Sequence, residues 1–147
     1  MQRRYGWMIA ALVAAGLALA ACAQRPVATA SKSEPAYVEP LAGTELNRVV
    51  LTAKAAQRLD IQTAPVREQQ VNGTQRKVIP YTAVIYGLHG ETWTYISPEP
   101  LTFVRQPITV DYIDGDMAVL LEGPPVGTAV VTVGAAELYG IDTGVGK

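Results

Sequence analysis

The stretch VREQQVNGTQRKVIP (residues 66–80) carries Asn72 and Gly73 between two runs that read as extended chain. Asn-Gly in that setting is among the strongest local signals of a two-residue β-hairpin, because both central residues of a type I′ turn need a positive φ. Glycine adopts a positive φ freely, and asparagine is one of the few other residues that does so routinely. The stretch therefore predicts a tight hairpin closed at Asn72 and Gly73.

Shorter elements precede this hairpin. The β-branched run NRVVL (47–51) predicts a strand. In TAKAAQRLD (52–60), Thr52 is a suitable N-cap and the apolar residues share one helical face, which predicts about two helical turns. The next segment, IQTAPVREQQV (61–71), reads as extended chain, with Pro65 best accommodated at a sheet edge.

Aromatic residues mark the strands that follow the hairpin. ETWTYI (91–96) alternates, so Trp93 and Tyr95 share one face of a strand. Phe103 lies in the next apolar run. Aromatic residues that alternate along strands are typical of a sheet core, and a ligand pocket is the alternative interpretation. Pro107 removes one backbone donor, which predicts a bulge or a free edge nearby.

The remaining pattern completes a mostly β domain. MAVLL (117–121) and TAVVTVG (128–134) read as strands separated by Gly/Pro turns, and AAELYG (135–140) predicts one helical turn closed by Gly140. Residues 47–143 are therefore predicted to form a small β-barrel or β-roll of about six to seven antiparallel strands with one short helix.

The N-terminal segment has the pattern of an export signal. Arg3 and Arg4 supply a positive start, and residues 7–21 carry no charge. That run is about 15 residues long, whereas a spanning helix needs roughly 20. Residues 1–21 therefore read as a signal peptide.

The end of this run resembles the lipobox of bacterial lipoproteins. The residues that carry the resemblance are LAAC, that is Leu19, Ala20, Ala21 and Cys22. It implies cleavage before Cys22 and a covalent diacylglycerol lipid on its thiol, with the membrane as a partner. The alternative is a plain secretory signal with an incidental cysteine.

The cysteine count and the net charge limit the kinds of site and partner that the chain can have. Cys22 is the only cysteine, so the chain has no disulfide and no thiol metal site. Removal of residues 1–21 takes away two arginines and no acidic residue, which leaves a formal net charge of −3. This balance does not indicate nucleic acid binding. Residues 22–46, rich in Ala, Pro, Ser and Glu and without periodicity, read as a flexible tether.

Three segments resemble one known family. They are VVLTAKAAQRLDIQTAPV (49–66), VIPYTAVIYGLHGETWTYISPEPLTFVRQPITV (78–110) and IDGDMAVLLEGPPVGTAVVTVGAAELYG (113–140). All three resemble the membrane-proximal domain of periplasmic adaptor subunits, or membrane fusion proteins, of resistance-nodulation-division efflux transporters. The resemblance covers essentially the whole predicted domain, and its motifs are structural rather than catalytic.

The chain departs from that family between the first two segments. Full-length adaptors build a β-barrel, a lipoyl-like domain and a long helical hairpin there, whereas this chain has about a dozen residues that include the Asn72-Gly73 turn. The resemblance therefore implies a reduced, non-enzymatic accessory protein without the bridging hairpin. Its implied partner is a pump subunit or a full-length adaptor, and Arg67 and Arg105 are candidate partner-facing residues.

Catalytic and metal sites find little support in the sequence. His89 is the only histidine and lies in a Gly-bounded turn, which predicts an exposed loop residue. Met117 alone cannot form a multi-methionine metal site. The acidic residues near Gly115 fail the spacing of a calcium-binding EF-hand loop; they are Asp111, Asp114, Asp116 and Glu122. No catalytic, metal or cofactor residues are therefore predicted, although a stand-alone lipoprotein that binds a small apolar ligand and an envelope enzyme remain alternatives.

Localisation follows from the signal and the residue after the cysteine. A lipid-anchored chain is expected in the cell envelope, facing the periplasm. Ala23 is not the aspartate that retains lipoproteins at the inner membrane in enteric-type sorting, so outer-membrane delivery is expected. A pump partner would instead suit the inner membrane.

Overall fold

A computed structural model describes residues 34–145, in which ten β-strands and two α-helices follow one another. Strand makes up 54% and helix 16% of the structure, which confirms the predicted mostly β class. The strands are β1 (Ala36–Pro40), β2 (Asn47–Leu51), β3 (Gln62–Pro65), β4 (Arg67–Val71), β5 (Thr74–Pro80), β6 (Ile85–Tyr86), β7 (Thr92–Glu99), β8 (Thr102–Asp114), β9 (Met117–Glu122) and β10 (Ala129–Val133). The helices are α1 (Ala53–Arg58) and α2 (Ala135–Thr143), with a 3-10 turn at Tyr81–Ala83.

The Asn72-Gly73 hairpin is confirmed. β4 and β5 pair antiparallel from Arg67↔Val78 to Val71↔Thr74, which leaves two residues in the loop. Asn72 has a φ of 50° and Gly73 a φ of 80°, the two positive values that a type I′ turn requires. The turn chemistry read from the sequence is therefore what closes this hairpin.

Seven strands form a curled antiparallel half-barrel in the order β3-β10-β7-β8-β9-β5-β4. β1 and β2 form a hairpin that joins β8 through β2, and β6 pairs with β7. β8, at 13 residues, is the longest strand and pairs with β2, β7 and β9. Its register with β9 shifts between Thr109 and Tyr112, close to the irregularity predicted at Pro107.

The first and the returning segments of the chain belong to one sheet system. β2 pairs with β8, with Val49 opposite Phe103. β3 pairs with β10, with Thr63 opposite Val131. Strands that precede the Asn72-Gly73 turn in sequence therefore pair with strands that follow it.

Two clusters of buried side chains form the core. The first cluster joins the β2–β8 region to both helices and contains Tyr95 and Phe103, as the aromatic pattern predicted. The second cluster joins β5, β9 and β10 and includes Ile79, Leu120 and Val130. Both helices contact β2, and α2 also contacts β1 and β7, so the helices cover the first cluster.

Helix α1 begins and ends as the sequence predicts. The Thr52 hydroxyl accepts a hydrogen bond from the Ala55 backbone N–H at 3.2 Å, which satisfies one of the free donors of the first turn. Asp60, which follows the C-cap residue Leu59, has a φ of 49°. Aspartate is one of the few residues other than glycine that adopts this left-handed conformation, so it ends the helix here.

Two predicted boundaries are wrong. The tether was expected to reach residue 46, but Ala36–Pro40 form β1 and pair along the whole of β2. The antiparallel pairing with β2 gives the backbone N–H and C=O groups of β1 their hydrogen-bond partners. The composition of the segment did not predict a strand there. Gly140 does not close the last helix either, since α2 continues to Thr143 and its C-cap is Gly144, with a φ of 70°.

Gly134 is expected to be the glycine most sensitive to substitution. It is the N-cap of α2 with a φ of 85°, and an added Cβ would overlap Ile61 Cδ1 and lie 3.3 Å from the Leu59 carbonyl oxygen. Gly127 has a φ of 89° with no atom within 4 Å of such a Cβ. We expect Gly127→Ala to lower the free energy of unfolding by about 1 kcal/mol and Gly134→Ala by about 2–3 kcal/mol. Urea denaturation of both variants measures the difference, and equal losses would contradict the close contact with Ile61.

Candidate functional site

A buried carboxylate connects the C-terminal helix to the sheet. Asp142, on α2, has a side chain that is 1% exposed. Its Oδ2 accepts a hydrogen bond from the Tyr95 hydroxyl at 2.7 Å, and its Oδ1 accepts one from Asn47 Nδ2 at 2.9 Å. One carboxylate therefore links α2 to both β7 and β2.

Arg105 completes this cluster. Its Nε lies 3.4 Å from Asp142 Oδ2, an ion pair without the alignment of a hydrogen bond. Its guanidinium carbon lies 4.6 Å from the centre of the Trp93 ring and 5.6 Å from that of Tyr139. The arginine thus neutralises the buried carboxylate while it stacks between two aromatic rings.

The structure places most of the Arg105 side chain, a candidate for facing a partner, within its own chain. The side chain is 16% exposed, and its charge is engaged by Asp142 within its own chain. A guanidinium held in this way contributes to the interior rather than to a docking surface. Arg67, by contrast, is exposed on β4.

The Tyr95 hydroxyl of this buried cluster is held in its protonated form. Burial raises the pKa of the Tyr95 hydroxyl far above its usual value, and the hydrogen bond to Asp142 raises it further. Tyr95 therefore keeps its proton at every pH at which the protein would work, and a general base needs a pKa near that range. We name the set of Asn47, Tyr95, Arg105 and Asp142 the Asp142 cluster.

No local sequence pattern predicts this cluster. Asn47 lies 95 residues and Tyr95 lies 47 residues from Asp142, so no local spacing relates them. An aspartate near the C-terminal end of a helix is electrostatically unfavourable on its own, and its position in α2 is the one feature that could have marked it.

The outer edge of β4 is the exposed element that carries Arg67. β4 ends the order of strands, so among the described residues its outer backbone groups have no strand partner. Its residues Arg67–Gln70 are exposed. β9 pairs with β5 only over Lys77–Pro80, so the tip of the β4–β5 hairpin extends beyond the sheet. We name Arg67–Gln70 the β4 edge.

Free edges of this kind suit protein docking. An extended segment of a partner can add to such an edge through main-chain hydrogen bonds, while side-chain contacts set the specificity. Charged residues such as Arg67 and Glu68 also guard a free edge against uncontrolled pairing. The β4 edge is therefore a polar, charged surface rather than an apolar one.

The histidine and acidic residues considered as metal ligands do not form a common site. His89 is exposed in the turn between β6 and β7. Asp111 is paired with Arg76, with 2.7 Å between Oδ2 and the guanidinium. Over residues 34–145 there is no group of three or more His, Cys, Asp or Glu residues that could hold a metal ion.

The aromatic residues divide between core and surface. Tyr95 is fully buried and Phe103 is 3% exposed, so both fill the first core cluster. Trp93 instead lines an open groove of about 500 Å³ with Tyr86 and Pro107. The groove walls also include Glu91 and two threonines, so a small ligand would meet a mixed, solvent-facing surface.

The residues of the predicted anchor lie outside the described residues. They are Leu19, Ala20, Ala21, Cys22 and Ala23. Within the described range, no helix combines the length and the apolar character that crossing a membrane requires.

Comparison of the chain with protein-family models, curated proteins and solved structures found no match.

Proposed function

We propose that this protein is a lipid-anchored periplasmic accessory subunit of a resistance-nodulation-division efflux system that acts by docking to a protein partner. The observation that carries the proposal is the pairing of β2 with β8 and of β3 with β10. The three segments that resemble adaptor subunits thereby form one continuous structure. The Asn72-Gly73 turn joins them where a full-length adaptor would leave the domain.

The absence of the additional domains of full-length adaptors limits the role that this domain can play. A two-residue turn replaces the long helical hairpin that reaches the outer-membrane channel in the family. The protein would therefore work as an accessory at the membrane-proximal level of the pump. It would bind a pump subunit or a full-length adaptor, with the β4 edge as the docking element.

The proposed anchor is the lipid on Cys22. Each buried methylene contributes about 0.8 kcal/mol to membrane binding, and two acyl chains already give stable attachment. A chain processed in this way would face the periplasm from the cell envelope. Ala23 favours the outer membrane, while docking to a pump favours the inner membrane.

Photo-crosslinking at Arg67 tests the docking element. Replacement of Arg67 by a photoreactive amino acid in cells is expected to give a crosslinked product that contains an efflux component, because Arg67 lies on the β4 edge. Arg58 provides a matched control, since it is also an exposed arginine but lies on α1. Products are separated from detergent-solubilised membranes and identified by mass spectrometry.

Two outcomes of this experiment count against the proposal. Crosslinks of equal yield at Arg67 and Arg58 would show that the β4 edge is not selective. Recovery of no transporter component from either variant under mild detergent conditions would contradict the efflux assignment itself. In that case a stand-alone lipoprotein that binds a small apolar ligand in the groove at Trp93 becomes the better interpretation.

A further inference from the structure

We infer that the turn between β6 and β7 is a membrane-contact element that rests on a lipid surface. The element consists of the turn residues Gly87–Gly90 with Tyr81 and Tyr86, and we name it the Leu88 turn. The Leu88 side chain is 89% exposed, the most exposed large apolar side chain of the described residues. This inference rests on the proposed lipid anchor at Cys22.

Hydrogen bonds close the turn on both sides of Leu88. The Gly87 N–H donates to the Glu91 carbonyl oxygen at 2.8 Å, and the Gly90 N–H donates to the Gly87 carbonyl oxygen at 3.2 Å. The His89 N–H donates to the Glu91 carboxylate at 3.0 Å. Three hydrogen bonds thus close a short loop around an exposed leucine, so little further ordering is needed when the turn meets a surface.

Two exposed tyrosines belong to the same element, and Tyr86 lies two residues before Leu88. Tyr86 is 54% exposed and Tyr81 is 42% exposed. The neighbouring Tyr81 hydroxyl raises the pKa of Tyr86, with a further contribution from burial. Tyrosine rings with an apolar body and a polar tip are enriched at the level of lipid headgroups. The Leu88 turn thus combines an apolar tip with amphipathic sides.

The size of the element favours lipid over protein as its partner. The exposed parts of Leu88, Tyr86 and Tyr81 amount to an area on the order of 300 Å², whereas a standard protein interface takes about 800 Å² from each partner. A lipid surface needs no complementary shape and accepts a small apolar tip. Lipid is therefore the partner that this geometry fits.

Charge indicates which lipids would be bound. Residues 78–104 contain no lysine and no arginine, so the segment has no fixed positive charge to attract anionic headgroups, and its one basic side chain is the His89 imidazole. The pKa of Glu91 is lowered by hydrogen bonds, first from its own backbone N–H, so its carboxylate stays ionised. The contact is therefore expected on zwitterionic lipid, without the strong gain on anionic lipid that lysines or arginines would give.

The anchor can bring the turn to the membrane. The chain enters the domain next to β1, where Ala36 pairs with Leu51 and the Leu51 N–H donates to the Leu101 carbonyl oxygen. This places the entry at the Glu99 end of β7, and the Leu88 turn lies at the Thr92 end. The eight residues of β7 span about 27 Å.

The length of chain before the domain exceeds that span. About 12 residues separate Cys22 from Glu34, and fully extended they reach about 40 Å. A single leucine and two tyrosines would bind free vesicles only weakly. The anchor makes the contact intramolecular and so raises its effective concentration into the millimolar range.

A fluorescent label at position 88 tests the contact in the full, acylated chain. Acylation of Cys22 leaves Leu88→Cys as the only free thiol, to which a polarity-sensitive dye is attached. Leu121→Cys is the matched control, because Leu121 is a 56% exposed leucine on β9. Both variants are reconstituted into phosphatidylcholine vesicles with or without lipids that carry a quencher in the acyl chain.

At position 88 we expect a blue-shifted emission and about twofold stronger quenching than at position 121. Equal quenching at the two positions would overturn the inference. So would a blue shift at position 88 that needs added pump protein, because the partner would then be a protein. Flotation of the vesicles is scored first: failure of the protein to float contradicts the proposed anchor itself, whereas flotation without quenching at position 88 contradicts the membrane contact alone.

Discussion

Replacement of Asp142 by alanine is expected to lower the free energy of unfolding by about 3–5 kcal/mol. The change removes the acceptor of two hydrogen bonds and leaves Arg105, 16% exposed, without its counter-charge. A buried charge that loses its partner costs more than the pair contributed, because its desolvation is no longer offset. Urea denaturation followed by circular dichroism measures the loss.

Two further variants separate the Asp142 cluster from general effects on the helix. Tyr95→Phe removes one hydrogen bond to Asp142 and keeps the ring in the core, so we expect a loss of about 1–2 kcal/mol. Glu137 is exposed on the same helix, and Glu137→Ala is expected to change stability by less than about 0.5 kcal/mol. A loss for Asp142→Ala no larger than that for Glu137→Ala would contradict the cluster.

Phe103→Ala is expected to cost about 3–5 kcal/mol, because it leaves a cavity in the first core cluster. Phe103 is 3% exposed and lies opposite Val49 across the β2–β8 pair. The lost contacts are therefore those that hold the first segment of the chain to the returning one. Thermal and urea unfolding of the purified variant measure the effect.

Leu88→Ala is the matched control for Phe103→Ala. Both changes remove a large apolar side chain, but Leu88 is 89% exposed, so its loss is expected to change stability by less than about 0.5 kcal/mol. Phe103→Leu keeps most of the volume and should fall between the two. If Phe103→Ala were as mild as Leu88→Ala, the pairing of β2 with β8 would be wrong.

The parts of the fold that the sequence predicts are those set by local chemistry. Asn72 and Gly73 specify their hairpin because the turn type demands positive φ at both positions. Thr52 and Asp60 mark the two ends of α1 through their own hydrogen bonding and conformation. Alternation along β7 and β8 likewise located Tyr95 and Phe103 in the core.

The parts that escaped prediction depend on contacts between distant residues. Nothing in the spacing of Asn47, Tyr95 and Asp142 relates them. Arg105 reads as a surface residue because no local pattern identifies Asp142 as its ion-pair partner. β1 was missed because a proline-rich, polar segment forms a strand only when β2 offers it a row of hydrogen bonds. Tertiary pairing overrode local composition there.

The long strand β8 makes the two core clusters depend on each other. It runs from its pairing with β2, beside the first core cluster, to its pairing with β9, beside the second. A disturbance that frees β8 at one end therefore loosens its hydrogen bonds at the other end. Without β8, the strands around each core cluster lose a pairing partner. We therefore expect the domain to melt as a single cooperative unit and the amide protons of β8 to be the last to exchange with solvent.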